Sequence, residues 1–165
     1  MMRILLLGLA LALSACGLRP MYAGGGGGTA AASLRAIQVQ PIPGKAGWLV
    51  HKALHQRLGN GDSDARYRLE VELDDNITGF GIRGDSAATR ERRTLRARYR
   101  LVELATGTVV VDATAGSDAG IDVVSSQYAT VAAEQTALER LSEVIADQMV
   151  NRLAMYVTRT APQVR

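Results

Sequence analysis

The sequence predicts a two-layer α+β sandwich, with two helices packed on one face of a four-stranded, mostly antiparallel sheet in the order β-α-β-β-β-α. Three observations carry this. Two stretches, Tyr67 to Leu73 and Leu95 to Leu101, alternate apolar and charged residues with period two. A turn signal, Ala105-Thr106-Gly107, joins the second of them to the apolar run beginning at Thr108 and so marks a hairpin. From Tyr128 to Tyr156 apolar residues recur every three or four positions with no Pro or Gly inside, the pattern of one long amphipathic helix.

The first strand lies within Leu34 to Ile42, with Ile37, Val39 and Ile42 as its apolar positions, and Pro41, Pro43 and Gly44 end it. A helix follows over Gly47 to Leu58. Val50, Leu54 and Leu58 form its stripe, Trp48 packs at its start, and Gly59-Asn60-Gly61 stops it.

In the second strand Tyr67, Leu69, Val71 and Leu73 take one face, while Arg68, Glu70, Glu72 and Asp74 take the other. Apolar parity then shifts to Phe80 and Ile82, which predicts a bulge or bend around Gly79, and residues 83–89 read as a polar connection.

The third strand sets Leu95, Ala97, Tyr99 and Leu101 against Arg96, Arg98 and Arg100. The fourth runs from Thr108 to Thr114 and gives way at Ser117-Asp118-Ala119-Gly120. Ser126 is the predicted N-cap of the long helix, whose stripe is Val131, Leu138, Leu141, Ile145, Met149 and Leu153. A polar tail containing Pro162 follows.

Ahead of this domain stands an export signal of a particular kind. Arg3 precedes the apolar run Ile4 to Leu13, too short to span a bilayer, and Leu13-Ser14-Ala15-Cys16 closes it. The chain's single cysteine falls at the cleavage position, the pattern of a lipobox. The competing reading is ordinary Ala-x-Ala-like cleavage with Cys16 incidental. In lipoproteins with this pattern the cysteine thiol receives a diacylglycerol and its amine an acyl chain, and two or more chains hold a protein stably at a membrane. Gly17 stands where Asp commonly signals inner-membrane retention, so the pattern favours the outer membrane.

The expected divisions are a signal peptide at 1–15, the lipidated cysteine with a tether at 16–33, the α+β domain at 34–158 and the tail at 159–165. Five glycines, Gly24 to Gly28, make the tether flexible. A domain of this length can bury an ordinary core. Loss of Arg3 leaves the mature chain one charge below the +3 of the full sequence, too little to imply a nucleic-acid partner. With Cys16 lipidated, no thiol remains for a disulfide or a thiolate metal site. The positive charge is nearly all arginine, since Lys45 and Lys52 are the only lysines. Arginine suits bidentate contact with carboxylate and phosphate.

Several segments resemble the lipopolysaccharide-assembly lipoprotein family LptE in its alphaproteobacterial form. They are Cys16-Gly17-Leu18-Arg19-Pro20-Met21-Tyr22, Gly81-Ile82-Arg83-Gly84-Asp85 leading to Ala88-Thr89-Arg90, Ala97 to Val102, and Val123 to Gln135. The resemblance implies a non-catalytic protein of the outer membrane, lipid-anchored on its periplasmic side. It implies a plug within the lumen of a large β-barrel, LptD, that assists barrel assembly, binds lipopolysaccharide and helps deliver it to the outer leaflet. It also implies two helices on a four-stranded sheet, in agreement with the elements above. No individual lipopolysaccharide-binding residue carries over, and no cofactor is implied beyond the lipid on Cys16. The alternative is a periplasm-facing lipid-binding or envelope-structural lipoprotein acting without a barrel.

The candidate binding residues come from the chain itself: Arg83, Arg90, Arg92, Arg93, Arg96, Arg98 and Arg100, opposed locally only by Asp85 and Glu91. One reading pairs Arg96, Arg98 and Arg100 with Glu70, Glu72 and Asp74 of the neighbouring strand, each pair worth about 0.2–1 kcal/mol. The other gives the surplus near the strand ends, Arg83, Arg90, Arg92 and Arg93, to lipid A phosphates or acidic groups of the barrel lumen. His51 and His55, one helical turn apart, could seat a metal, but no clear third ligand accompanies them and no metal is expected. Arg83-Gly84-Asp85 matches an adhesion triplet of a length that recurs by chance. No Gly-x-Ser-x-Gly elbow or Gly-x-x-x-x-Gly-Lys loop is present, and no residue set supplies nucleophile, base and orienter together.

Overall fold

The computed structural model describes residues 29–59, 65–82 and 88–160, and the lipobox, the glycine run, residues 60–64 and 83–87 and the end of the tail fall outside them. The elements in chain order are α1 (Thr29–Arg35), β1 (Ile37–Val39), α2 (Gly44–Leu58), β2 (Tyr67–Ile82), β3 (Ala88–Glu103), β4 (Val109–Asp122) and α3 (Gln127–Thr160). The sheet order is β1-β2-β3-β4, with β1 parallel to β2 and the other pairs antiparallel. Both long helices pack on one face, as the α+β prediction requires. α2 serves as the crossover between the parallel strands and lies over β1 and β2; α3 lies over β3 and β4 and against α2.

The core is the inward half of the period-two pattern meeting the helical stripes. Leu69, Leu95, Leu101, Val50, Leu54, Leu138, Ile145, Met149 and Leu153 are all fully buried, and Tyr67 meets Tyr156 edge-to-face at 6.2 Å between centroids. Arg57 of α2 bonds Asp147 of α3 and ties the two helices together, holding the Asp147 carboxyl below the usual carboxylate range. At the entry to α2 the chain turns so sharply that a Cβ on Gly47 would lie 2.4 Å from the Ile42 carbonyl oxygen, which reserves that position for glycine. Gly59, at φ 86°, closes the helix by donating its N–H to the His55 carbonyl.

Several elements differ from the sequence expectation. Thr29–Arg35 is helical, although its first residues read as the end of the tether, and Leu34 is buried against the core instead of opening β1. Trp48 does not pack at the start of α2. It is 61% exposed, with the Lys52 ammonium 5.3 Å from its ring centroid. No bulge interrupts β2 at Gly79: the β2–β3 register runs unbroken from Tyr67↔Glu103 to Ile82↔Ala88. The parity shift there arises because Asp75, Asn76, Thr78 and Phe80 are all exposed, so neither face of this stretch demands apolar residues.

β4 continues through Ser117-Asp118-Ala119-Gly120 to Asp122, because paired backbone overrides weak local strand propensity. Its bulge lies instead at the hairpin end, opposite Leu101 and Val102. α3 begins at the predicted cap, where Ala129 N–H donates to Ser126 Oγ at 3.4 Å. Near its start Thr130 is buried and Val131 is 55% exposed: the four-residue step that runs through Leu138, Ser142, Ala146 and Val150, carried two steps back, arrives at Thr130.

Candidate functional site: the arginine face of the sheet

Alternation along β3 divides the predicted arginines between the two faces. Arg90, Arg92, Arg96, Arg98 and Arg100 lie on the face without helices, and Arg93 lies on the helix-covered face with Leu95 and Tyr99. Arg83 falls outside the described residues. Arg93 is committed internally. Its guanidinium grips both Asp75 carboxylate oxygens, at 2.8 and 2.6 Å, and donates to the Glu134 carbonyl of α3 at 2.9 Å. Its side chain is only 12% exposed, and the pairing with Asp75 raises its pKa above the usual arginine value.

On the outer face the central strand is flanked by acid on both sides. Glu70 and Glu72 of β2 meet Arg100 at 3.2 and 3.9 Å, and Glu70 also meets Arg68 at 3.0 Å. From β4, Asp112 takes Arg98 at 3.0 Å, Asp118 takes Arg96 at 3.2 Å, and Asp122 takes Arg90 at 3.2 Å. Only Arg100 therefore finds the β2 partner that the sequence reading assigned to all three strand arginines. Arg96 and Arg98 turn to β4 because its aspartates sit diagonally across, beside uncharged Gly116 and Thr114. Gly116 makes this possible: a Cβ there would lie 2.5 Å from Arg96 Cδ, in the space the guanidinium stem occupies. The hydrogen bond from Arg98 holds the exposed Asp112 carboxyl below its ordinary range. With Asp74 included, six arginines on this face stand against six carboxylates, so the excess suggested by the chain-local count is cancelled by β4.

Arg92 is the exception. Its register neighbours are Thr78 and Gly120, and among the described residues no carboxylate pairs with it. Its guanidinium stands 5.4 Å over the Phe80 ring, which is itself 39% exposed. The same end of the molecule exposes Val124, Val131 and Tyr128, the last 91% exposed. Two of the four segments that carry the resemblance, the one ending at Arg90 and the one beginning at Val123, converge here, since Arg90 lies opposite Asp122. A planar cation beside aromatic and aliphatic surface suits an amphiphile bearing a phosphate or carboxylate.

The histidines form a separate pair on α2. Their Nε2 atoms are 3.2 Å apart, one ring donating to the other, with ring centroids 4.3 Å apart. Among the described residues no third His, Cys, Asp or Glu completes a metal-binding group. Burial pushes the His51 pKa down, charge on His55 adds to this, and a hydrogen bond with the Val39 backbone opposes it. A folded pKa below the unfolded value of about 6.5 means the unfolded chain takes up the proton first as pH falls. His51 therefore destabilises the fold below about pH 6.5, and the loss levels off below its lowered folded pKa. The loss is small, because solvent contact screens the half-buried ring. Melting temperatures of the wild type and His51→Asn across the acid range check this: the variant should show the shallower decline.

A lipopolysaccharide-assembly family model matches residues 34–153. The chain belongs to the LptE family. Membership carries a role in lipopolysaccharide assembly, and LptE proteins are non-enzymatic components of that transport. Among solved structures, a Caulobacter crescentus CB15 lipoprotein is 24% identical, with a TM-score of 0.68 over 82% of this chain and 99% of that one. Lipoprotein B from Nitrosomonas europaea is 9% identical, with a TM-score of 0.57 over 74% of this chain and 83% of its own. A minor lipoprotein from Acinetobacter baumannii is 15% identical, with a TM-score of 0.53 over 72% and 91%. These likenesses show that the fold is shared. A comparison with curated proteins returns no significant match.

Sequence reasoning named Arg92 within its cluster but could not separate it from its neighbours. The signal that does so is parity combined with the length of β4, which supplies carboxylates to Arg90, Arg96 and Arg98.

Proposed function

We propose that the protein is a non-catalytic lipoprotein, anchored in the outer membrane through diacylglycerol and N-acyl chains on Cys16. In this reading its domain plugs and helps assemble an LptD-like β-barrel and assists delivery of lipopolysaccharide to the outer leaflet. The observation that carries the reading is the family match over the folded domain. The tether would let the domain enter the barrel while its lipid stays in the membrane, raising local concentration without adding a contact. Lipopolysaccharide would meet the end of the sheet where Arg92 and Phe80 stand exposed, its phosphates on the guanidinium and its acyl chains on apolar surface.

Co-purification from outer membranes tests this. A stable equimolar complex with a large barrel, and loss of surface lipopolysaccharide on depletion, are expected. A lone domain that still binds lipid would instead establish a carrier acting without a barrel. Cys16→Ser should move the protein out of the membrane fraction while leaving its folding intact; an unfolded variant would overturn that division of labour.

A further inference from the structure

The edge of β4 is open. It is a 14-residue strand that pairs only with β3 among the described residues, and it contains no proline and no lysine, two devices that commonly blunt an exposed edge. Gly116 shows which way its backbone groups point. Its N–H donates to Gln148 Oε1 at 3.1 Å, and its carbonyl accepts from Gln148 Nε2 at 3.3 Å. One side-chain amide of α3 thus imitates, at one residue, the two bonds a neighbouring strand would make. Strand geometry sends the same groups of Asp112, Thr114, Asp118 and Gly120 in that direction.

Beside this edge runs a groove against α3, formed by two adjoining hollows of about 390 and 630 Å³. Gln148, Arg152, Met155 and Arg159 line it from the helix, spaced four, three and four residues apart, and so make one continuous helical stripe. All four are exposed. Neither Arg152 nor Arg159 makes an ion pair among the described residues. The groove therefore offers a row of backbone donors and acceptors on one wall and two uncommitted cations around a methionine on the other.

We propose that this edge is an interaction site for an extended, acidic segment of a partner protein, which adds to β4 as a fifth strand. Its backbone would displace the Gln148 amide from Gly116. Its carboxylates, on alternate residues, would face Arg152 and Arg159, and its intervening side chains would point to the opposite face of the enlarged sheet. Charge selects this occupant over a basic or neutral strand, since Asp112, the carboxylate that lines both hollows, is already paired with Arg98. The site is separate from the Arg92 end, and it stands whether or not the partner is a barrel.

The test uses the mature domain and two synthetic peptides, one alternating threonine with glutamate and one alternating threonine with lysine. Amide hydrogen exchange is followed by NMR. The glutamate peptide should slow exchange at Thr114 and Asp118, and the lysine peptide should not. Arg152→Glu should weaken binding about tenfold, the effect of about 1.4 kcal/mol. Thr114→Pro should abolish it with the fold retained, because that N–H lies outside the β3–β4 ladder. Equal protection by both peptides, or protection confined to another surface, would overturn the proposal. So would edge amides that become protected with rising protein concentration alone, since a second copy would then hold the edge. If Thr114→Pro fails to fold, the wild-type exchange map and Arg152→Glu still decide.

Discussion

Replacing Ile145 by alanine should destabilise the domain by about 2–5 kcal/mol. Ile145 is fully buried on the face of α3 turned to the sheet and sits within the core shared by Leu101, Tyr99 and Leu54. Truncation removes apolar surface from that core and leaves a void that a close-packed interior fills only in part. The neighbouring position is the control. Val144 lies on the exposed side of the same helical turn, and Val144→Ala should change stability by less than about 0.5 kcal/mol. Urea unfolding of both variants measures the difference. Equal effects would mean that α3 is not docked through the Ile145 stripe.

Adjacent arginines should behave as differently as adjacent aliphatic residues. Arg93→Ala removes a two-pronged grip on Asp75 and a bond to the Glu134 carbonyl, leaving the Asp75 carboxylate and that carbonyl without their cationic donor. The expected loss of stability is about 2 kcal/mol, within the range for charged hydrogen bonds. Arg92→Ala removes a solvent-facing cation that rests over Phe80, so its stability should stay within about 0.5 kcal/mol of wild type. On the proposed reading its affinity for lipopolysaccharide should fall about tenfold. Chemical denaturation and lipopolysaccharide binding measured on both variants separate the two roles. Full retention of binding by Arg92→Ala would remove this end of the sheet as the lipopolysaccharide contact.

Much of the architecture was legible because burial imposes its period directly on the residues. The alternation of Tyr67 to Leu73 and of Leu95 to Leu101, and the spacing from Leu138 to Leu153, each name the inward face without any knowledge of the partner element. Where burial stops, the legibility stops. β2 beyond Leu73 is exposed and carries no periodic signal. In β4 beyond Thr114 burial persists at Ala115 and Ile121, but the inner face there is built mostly of small residues among glycines and polar residues, so the apolar contrast that marks a strand is weak. The far half of β4 therefore reads as a loop. That omission propagated into the site. Asp118 and Asp122 belong to that half, and without them Arg90 counts as a surplus cation and Arg96 is assigned a partner on β2. Trp48 misled for a different reason: size and hydrophobicity argue for packing, but it falls on the outer side of the α2 stripe, where Lys52 covers it. The separation of Arg92 from Arg93 required only parity, which the sequence already contained.

The stripes of charge on the outer face also govern how a partner arrives. A cationic row between two anionic rows, with strands about 4.8 Å apart, is a high-order multipole. Its potential largely cancels within a few ångströms, inside the screening length of about 8 Å at physiological salt. The arginine-rich face therefore does not steer an anionic ligand from a distance, and association rates should respond weakly to ionic strength. Selection happens at contact, after collision, at the few places where the stripes fail to cancel.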